Sequence, residues 1–162
     1  MKVQCLYDAL VDIKSLKLNP SNRNHHSREQ IDRLALILDA QGWRYPVKVS
    51  KQSGLVTSGH GRIEAARVNG WTQVPVNFQD YESPAIEYAD TVADNSIASW
   101  SELDLAGINL DIGDLGPEFD ISLLGIKSFE VEVADKGFDA IEECPKEDRA
   151  AKLCPHCGAA LN

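Results

Sequence analysis

The chain has 162 residues, 43% of them hydrophobic and 25% charged, with a net charge of −9. That is the composition of a folded domain, not of a disordered or fibrous chain. No apolar run reaches the roughly 20 residues of a membrane span and the N-terminus shows no apolar signal core, so no membrane partner is expected and the expected compartment is the cytoplasm.

Residues 3–7 read as a short strand, and Asn19-Pro20-Ser21-Asn22-Arg23-Asn24 as a turn. Ser27 with Gln30 three residues on is a capping-box start. The helix that follows carries the apolar stripe Ile31, Leu34, Ala35 and Leu38 and ends at Gly42. Pro46–Val49 and Leu55–Thr57 form a hairpin around Gln52-Ser53-Gly54. A glycine loop, Ser58-Gly59-His60-Gly61-Arg62, leads into a short helix over Ile63–Asn69, and Val74–Phe78 is a further strand. Ser83-Pro84 opens a helix with proline at its first position, whose expected inner face is Ile86, Ala89, Ala93 and Ile97. Another helical stretch follows Ser101, and glycines and Pro117 break the chain after Asp111 except for a helical turn over Ile121–Leu124.

The charge is unevenly spread. Residues 1–79 hold 11 Lys/Arg against 6 Asp/Glu, whereas residues 80–143 hold 2 against 17. The acidic half disfavours polyanions, while the first half leaves room for a local anion site. The glycine loop is the place for one. Its backbone can turn N–H groups inward at the positive end of a helix, with Arg62 to fork onto a phosphate and His60 to donate beside it. A tight strand-to-helix turn with a solvated arginine is the other reading of the same residues.

Taken in order, Asn19-Pro20 with Arg23, the Ser27–Gln41 helix, Gly42 before Pro46-Val47, the run Val56–Arg67 and Val74-Pro75-Val76 resemble the ParB/sulfiredoxin family over about residues 8–110, and specifically the ParB N-terminal domain. Ala93-Asp94-Asn95 is similar to a segment of ParB-like proteins of phages and mobile elements. The resemblance implies an α/β (α+β) fold, a small mixed sheet with flanking helices, that binds a nucleoside triphosphate with Mg²⁺ in a DNA-linked process. The G-E-R-R loop that holds the triphosphate of CTP in ParB matches Gly59, His60, Gly61 and Arg62, so the first glycine and the second arginine are kept. The family's E-N-x-x-R stretch matches Asp94, Asn95 and Ala98, its earlier arginine matches Arg23, and His25 and His26 would lie beside the phosphate loop. The nucleophilic cysteine of sulfiredoxins matches His60, and Cys5 reads as a small buried hydrophobe, so sulfiredoxin chemistry is not expected.

Two other functions share this fold class. A metal-dependent nuclease or phosphotransferase would need carboxylates by the phosphate, for which Glu64, Asp94 and Asn95 are the catalytic candidates. A non-catalytic adaptor would dock a protein partner. No helix-turn-helix pattern follows residue 126, so direct DNA binding is expected to be weak and unselective, and a homodimer is left open.

The expected organisation is a ParB-like domain over 1–126, an acidic linker over 127–143 and a zinc-ribbon-like tail over 144–162. In the tail, Cys154-Pro-His-Cys157-Gly is a thiolate knuckle and Cys144 a third zinc ligand. The fourth would be His156, His25, His26 or a residue of another chain.

Overall fold

The computed structural model of the chain describes residues 1–127. The cysteine knuckle, with Cys144, Cys154, His156 and Cys157, and the acidic linker beyond Lys127 lie outside the described residues. Within them the chain is a mixed α+β fold with a five-stranded mixed sheet and four α-helices. The strands are β1 (Ala9–Asp12), β2 (Lys17–Leu18), β3 (Val47–Ser50), β4 (Leu55–Ser58) and β5 (Gln73–Gln79), in the order β1-β5-β3-β4-β2. The pairs β1/β5 and β3/β4 are antiparallel, and β5/β3 and β4/β2 are parallel.

Helix α1 (Arg28–Gln41) starts with half of the expected capping box: the Ser27 hydroxyl accepts the Gln30 amide at 3.1 Å, while the Gln30 side chain meets His26 Nδ1 instead of the Ser27 amide. Its buried stripe is Ile31, Ala35 and Leu38, and Gly42 ends it in the left-handed region at φ 76°. Helix α2 (His60–Val68) packs against α1 and on β3 and β5, and the core closes between them around Trp43, Val47, Val56, Ile63, Val74 and Val76, all with no measurable exposure. Trp71 tilts against Trp43 at 6.3 Å between ring centroids.

Two expectations are corrected. Residues 3–7 make only an isolated bridge, Val3 to Trp43, and the first strand is Ala9–Asp12. Cys5 is half-buried there, packed against the core, with burial pushing its thiol up from the usual range. Helix α3 (Pro84–Ser96) starts at Ser83 with Pro84 first, as expected, but turns a neighbouring face inward. Its buried residues are Glu87 and Thr91, while Ile86 is 51% and Ile97 61% exposed. The reason lies on the sheet. Val47 and Val49 of β3 point into the core, so Lys48 and Ser50 point out of the other face. That face offers hydroxyls, not apolar surface: Ser50 and Ser53 donate to the two oxygens of Glu87, each at 2.7 Å. Tyr81 adds a donation to Asp90 at 2.8 Å and pairs with the Thr57 hydroxyl at 3.1 Å.

Helix α4 (Leu105–Ile112) and a 3₁₀ turn at Ile121–Leu124 complete the described chain. The turn is tied to α1 by Arg33, which donates to the Ser122 carbonyl at 3.1 Å. No helix among the described residues is long and apolar enough to cross a membrane.

Candidate functional site

Strand β4 runs straight into α2 with one residue between them. Gly59 has φ 100° and ψ 17°, a left-handed conformation that costs a side chain strain. A Cβ there would also stand 3.2 Å from Arg62 Nη2 and 3.3 Å from the Val47 Cα. The helix therefore begins at His60, three residues before the expected start at Ile63, and Gly61 and Arg62 belong to its first turn. The first intrahelical bond is Ile63 N–H to the Gly59 carbonyl at 3.0 Å. Glycine at the cap carries no side chain to accept, and among the described residues the amides of His60, Gly61 and Arg62 have no acceptor. Three donors and the positive end of a helix converge there.

They face an open cleft of about 510 Å³, its solvent mouth included. Gly59, His60, Gly61 and Arg62 line one side of it. Asn22, Asn24 and His26 come from the turn before α1, Ser58 from β4, and Asp94 and Asn95 from α3. Arg62 is held inward instead of reaching solvent. Its Nη2 donates to the Pro46 carbonyl at 3.3 Å and its buried Nε has no partner among the described residues. Burial pushes the guanidinium down from its usual range, with the charge of Asp94 opposing. No carboxylate is close enough to it to make an ion pair among the described residues. A half-buried cation with one neutral acceptor is electrostatically unfinished.

His60 has a defined tautomer. Its Nε2 accepts the Asn19 amide at 3.3 Å, which puts the ring proton on Nδ1. Burial, and next the charge of His26, lower its pKa from the ordinary histidine value, with Glu64 opposing. The ring is thus a neutral donor through Nδ1.

Asp94 accepts from the Ser58 hydroxyl at 2.6 Å and from Lys48 Nζ at 3.3 Å, and the Ser58 bond is the main reason its carboxyl lies below the usual range. Asn95 bridges two elements, its Oδ1 accepting from Asn24 Nδ2 at 2.8 Å and its Nδ2 donating to the Thr91 carbonyl at 2.9 Å. Arg23 does not line the cleft. It borders a neighbouring depression that shares Asn22, Asn24 and Asn95 with it. Glu64 is also outside the cleft, paired with Arg67 one turn along α2 and 43% exposed. Of the three catalytic candidates, Asp94 and Asn95 come together and Glu64 stands apart. Among the described residues no three His, Cys, Asp or Glu side chains gather as metal ligands.

The loop spacing pointed to Gly59, His60, Gly61 and Arg62. It did not point to Ser58, Lys48, Asn22 or Asn24. The only signal for the asparagines was a turn-rich stretch, and for Lys48 its place as the polar residue between two core valines.

No family model and no curated protein matches the sequence. Solved structures do match the fold. The C-terminally truncated chromosome-partitioning protein ParB from Caulobacter crescentus, complexed with CTP-γ-S, is 18% identical over 74% of this chain and 71% of its own, with a TM-score of 0.58. The same protein complexed to the centromeric parS site matches at 18% identity and a TM-score of 0.47, over 67% of this chain and 56% of its own. Sulfiredoxin from Arabidopsis thaliana matches at 15% identity and 0.40, over 45% and 84%. The chain has a ParB-like fold.

Proposed function

We propose that this chain, built on the fold of a chromosome-partitioning ParB, binds a nucleoside triphosphate at the start of α2 and works in a DNA-linked process. One observation carries the reading: a half-buried Arg62 guanidinium, its Nε buried without a partner and no carboxylate paired with it, lies beside three helix-terminal amides without acceptors among the described residues. A phosphate group satisfies both at once, supplying a counter-charge to the arginine and acceptors to the amides. The likeness supports it, because the ParB structure of the same fold is a complex with CTP-γ-S.

In this reading the amides of His60, Gly61 and Arg62 hold the phosphate, and the His60 Nδ1–H adds a donor. Arg23 reaches the ligand from the neighbouring depression. Asp94, already bound to Ser58 and Lys48, orients the far wall. Mg²⁺ comes with the ligand's phosphates. Residues 1–126 form the binding module, 127–143 a linker and 144–162 a tail that takes zinc through Cys144, Cys154 and Cys157, with His156 between the knuckle cysteines.

Calorimetric titration of the four common nucleoside triphosphates with Mg²⁺ tests the site. At least one binds the wild type, and Arg62→Ala weakens it about tenfold or more, the loss of a charge-assisted hydrogen bond of about 1.5–3 kcal/mol. Absence of binding to all four refutes the reading.

A further inference from the structure

Lys48 and Ser58 face each other across the β3/β4 pair, and the register shifts beside them. Val49 pairs with Val56 and Lys48 with Ser58, so Thr57 is an extra residue on β4. An insertion of this kind re-aims the side chains next to it. Val56 stays in the core, while Thr57 and Ser58 both bond on the α3 side of the sheet. Thr57 meets the Tyr81 hydroxyl at 3.1 Å, and Ser58 donates to Asp94 at 2.6 Å. Asp94 is thereby gripped from two strands, its Oδ2 by the Ser58 hydroxyl and its Oδ1 by Lys48 Nζ at 3.3 Å. The same Nζ stands 3.9 Å from Asp90 Oδ2, one turn back on α3.

Asp94 and Arg62 line one cleft, and each feels the other's charge. Among the described residues the half-buried guanidinium nevertheless has no carboxylate partner, and its one acceptor is the Pro46 carbonyl. Opposite charges this near attract unless something holds them apart. Both oxygens of Asp94 are taken by groups on the sheet, and Lys48 is the cation that competes with Arg62 for them. Half-exposed ion pairs add little to stability, so the consequence of this one lies at the cleft.

We propose that Lys48 is a positioning residue of the cradle: with Ser58 it holds the Asp94 carboxylate off Arg62, which keeps the guanidinium open to an incoming phosphate instead of closed by an internal ion pair. This rests on the nucleotide reading above. Without Lys48, Asp94 turns to Arg62 and occupies the anion site from within.

The test compares wild type, Lys48→Met, Lys48→Arg, Lys48→Met/Asp94→Asn and Lys51→Met. The last removes the same charge from a pair with Asp80 on the hairpin, away from the cleft. The first readout needs no ligand: the NMR signal of the Arg62 Nε–H. Lys48→Met moves it and slows its exchange with solvent, the added Asp94→Asn returns it toward wild type, and Lys48→Arg and Lys51→Met leave it in place. The second readout is calorimetric titration of ATP, CTP, GTP and UTP, each with Mg²⁺. Lys48→Met lowers the affinity about tenfold, because the cradle's cation is already paired. Lys48→Arg and Lys51→Met bind like wild type, and the double variant recovers affinity over Lys48→Met. An Arg62 signal unmoved by Lys48→Met, or moved and not returned by Asp94→Asn, overturns the proposal, as does an affinity that Lys48→Met leaves unchanged; in each case the nucleotide reading stands. No triphosphate binding by the wild type overturns the nucleotide reading, and the Arg62 signal then decides alone whether Lys48 holds Asp94 away.

Discussion

Gly59 and Arg62 are where residue chemistry is most exacting. A side chain at position 59 must adopt φ 100° with Arg62 Nη2 and the Val47 backbone at 3.2 and 3.3 Å from its Cβ. Gly59→Val is expected to cost about 1–3 kcal/mol of stability and to abolish triphosphate binding, read by thermal melts and calorimetry on the same preparation. A variant that folds and binds like wild type contradicts the cradle. His60 and Asp94 set the pH response of the fold. Each has a folded-state pKa below its ordinary value, so in each case the unfolded chain binds more protons within the window between the two values. The stability from His60 is full above the unfolded histidine range near ~6.5 and is lost as pH falls through its depressed value. That from Asp94 is full above the unfolded carboxylate range near ~3.9 and is lost in the same sense at lower pH. Melts between about pH 7 and pH 5 therefore show stability declining with acid, and His60→Asn flattens the decline. Unchanged slopes contradict this account of His60.

At the scale of elements, α3 is held unlike the others. Helix α1 docks by Ile31, Ala35 and Leu38, whereas α3 docks by Glu87, Asp90 and Asp94 against hydroxyls and Lys48. Such contacts give a small net gain but are costly to leave half-made. Glu87→Ala strands the Ser50 and Ser53 hydroxyls and is expected to cost about 1–3 kcal/mol in a urea melt. Amides of α3 are expected to exchange with solvent faster than those of α1, because little apolar area opposes local opening. Equal protection in the two helices would show that the polar contacts hold as firmly as the core. The same contrast explains what was legible in the sequence. The Ser27–Gln30 cap, the stripe of α1, the hairpin and β5 follow local rules that the fold obeys. The inner face of α3 was misassigned because periodicity presumes an apolar partner, and the sheet offers Ser50, Ser53, Thr57 and Lys48 instead. The strand expected at 3–7 was displaced to Ala9–Asp12, since only there does the chain find an edge, β5, to pair with. At the site, Gly59 and Arg62 were visible because a glycine loop between strand and helix is a local signal. Lys48 and Ser58 were not, because their role depends on which face α3 covers.

Over the whole molecule, charge argues about partners. The 17 carboxylates of residues 80–143 oppose the modest basic excess of residues 1–79, and at physiological salt such repulsion acts over a Debye length of about 8 Å. The isolated chain is expected to bind duplex DNA weakly, without sequence preference and with a shallow salt slope, as few phosphate contacts are available. Nanomolar, sequence-selective binding in an anisotropy titration contradicts this. Elemental analysis addresses the tail: zinc near one per chain in wild type and a clear loss in Cys154→Ser is the expected result, and equal, negligible zinc in both excludes the ligand set. The central claim is that the start of α2 holds a phosphate through its backbone, and the most direct measurement is of those amides themselves. In ¹H–¹⁵N spectra of the wild type with Mg²⁺, adding each of the four nucleoside triphosphates in turn is expected, for at least one of them, to shift the His60, Gly61 and Arg62 amides in a saturable way, and Arg62→Ala is expected to weaken the response. Those three amides remaining unmoved by every triphosphate at saturating concentration would contradict the account.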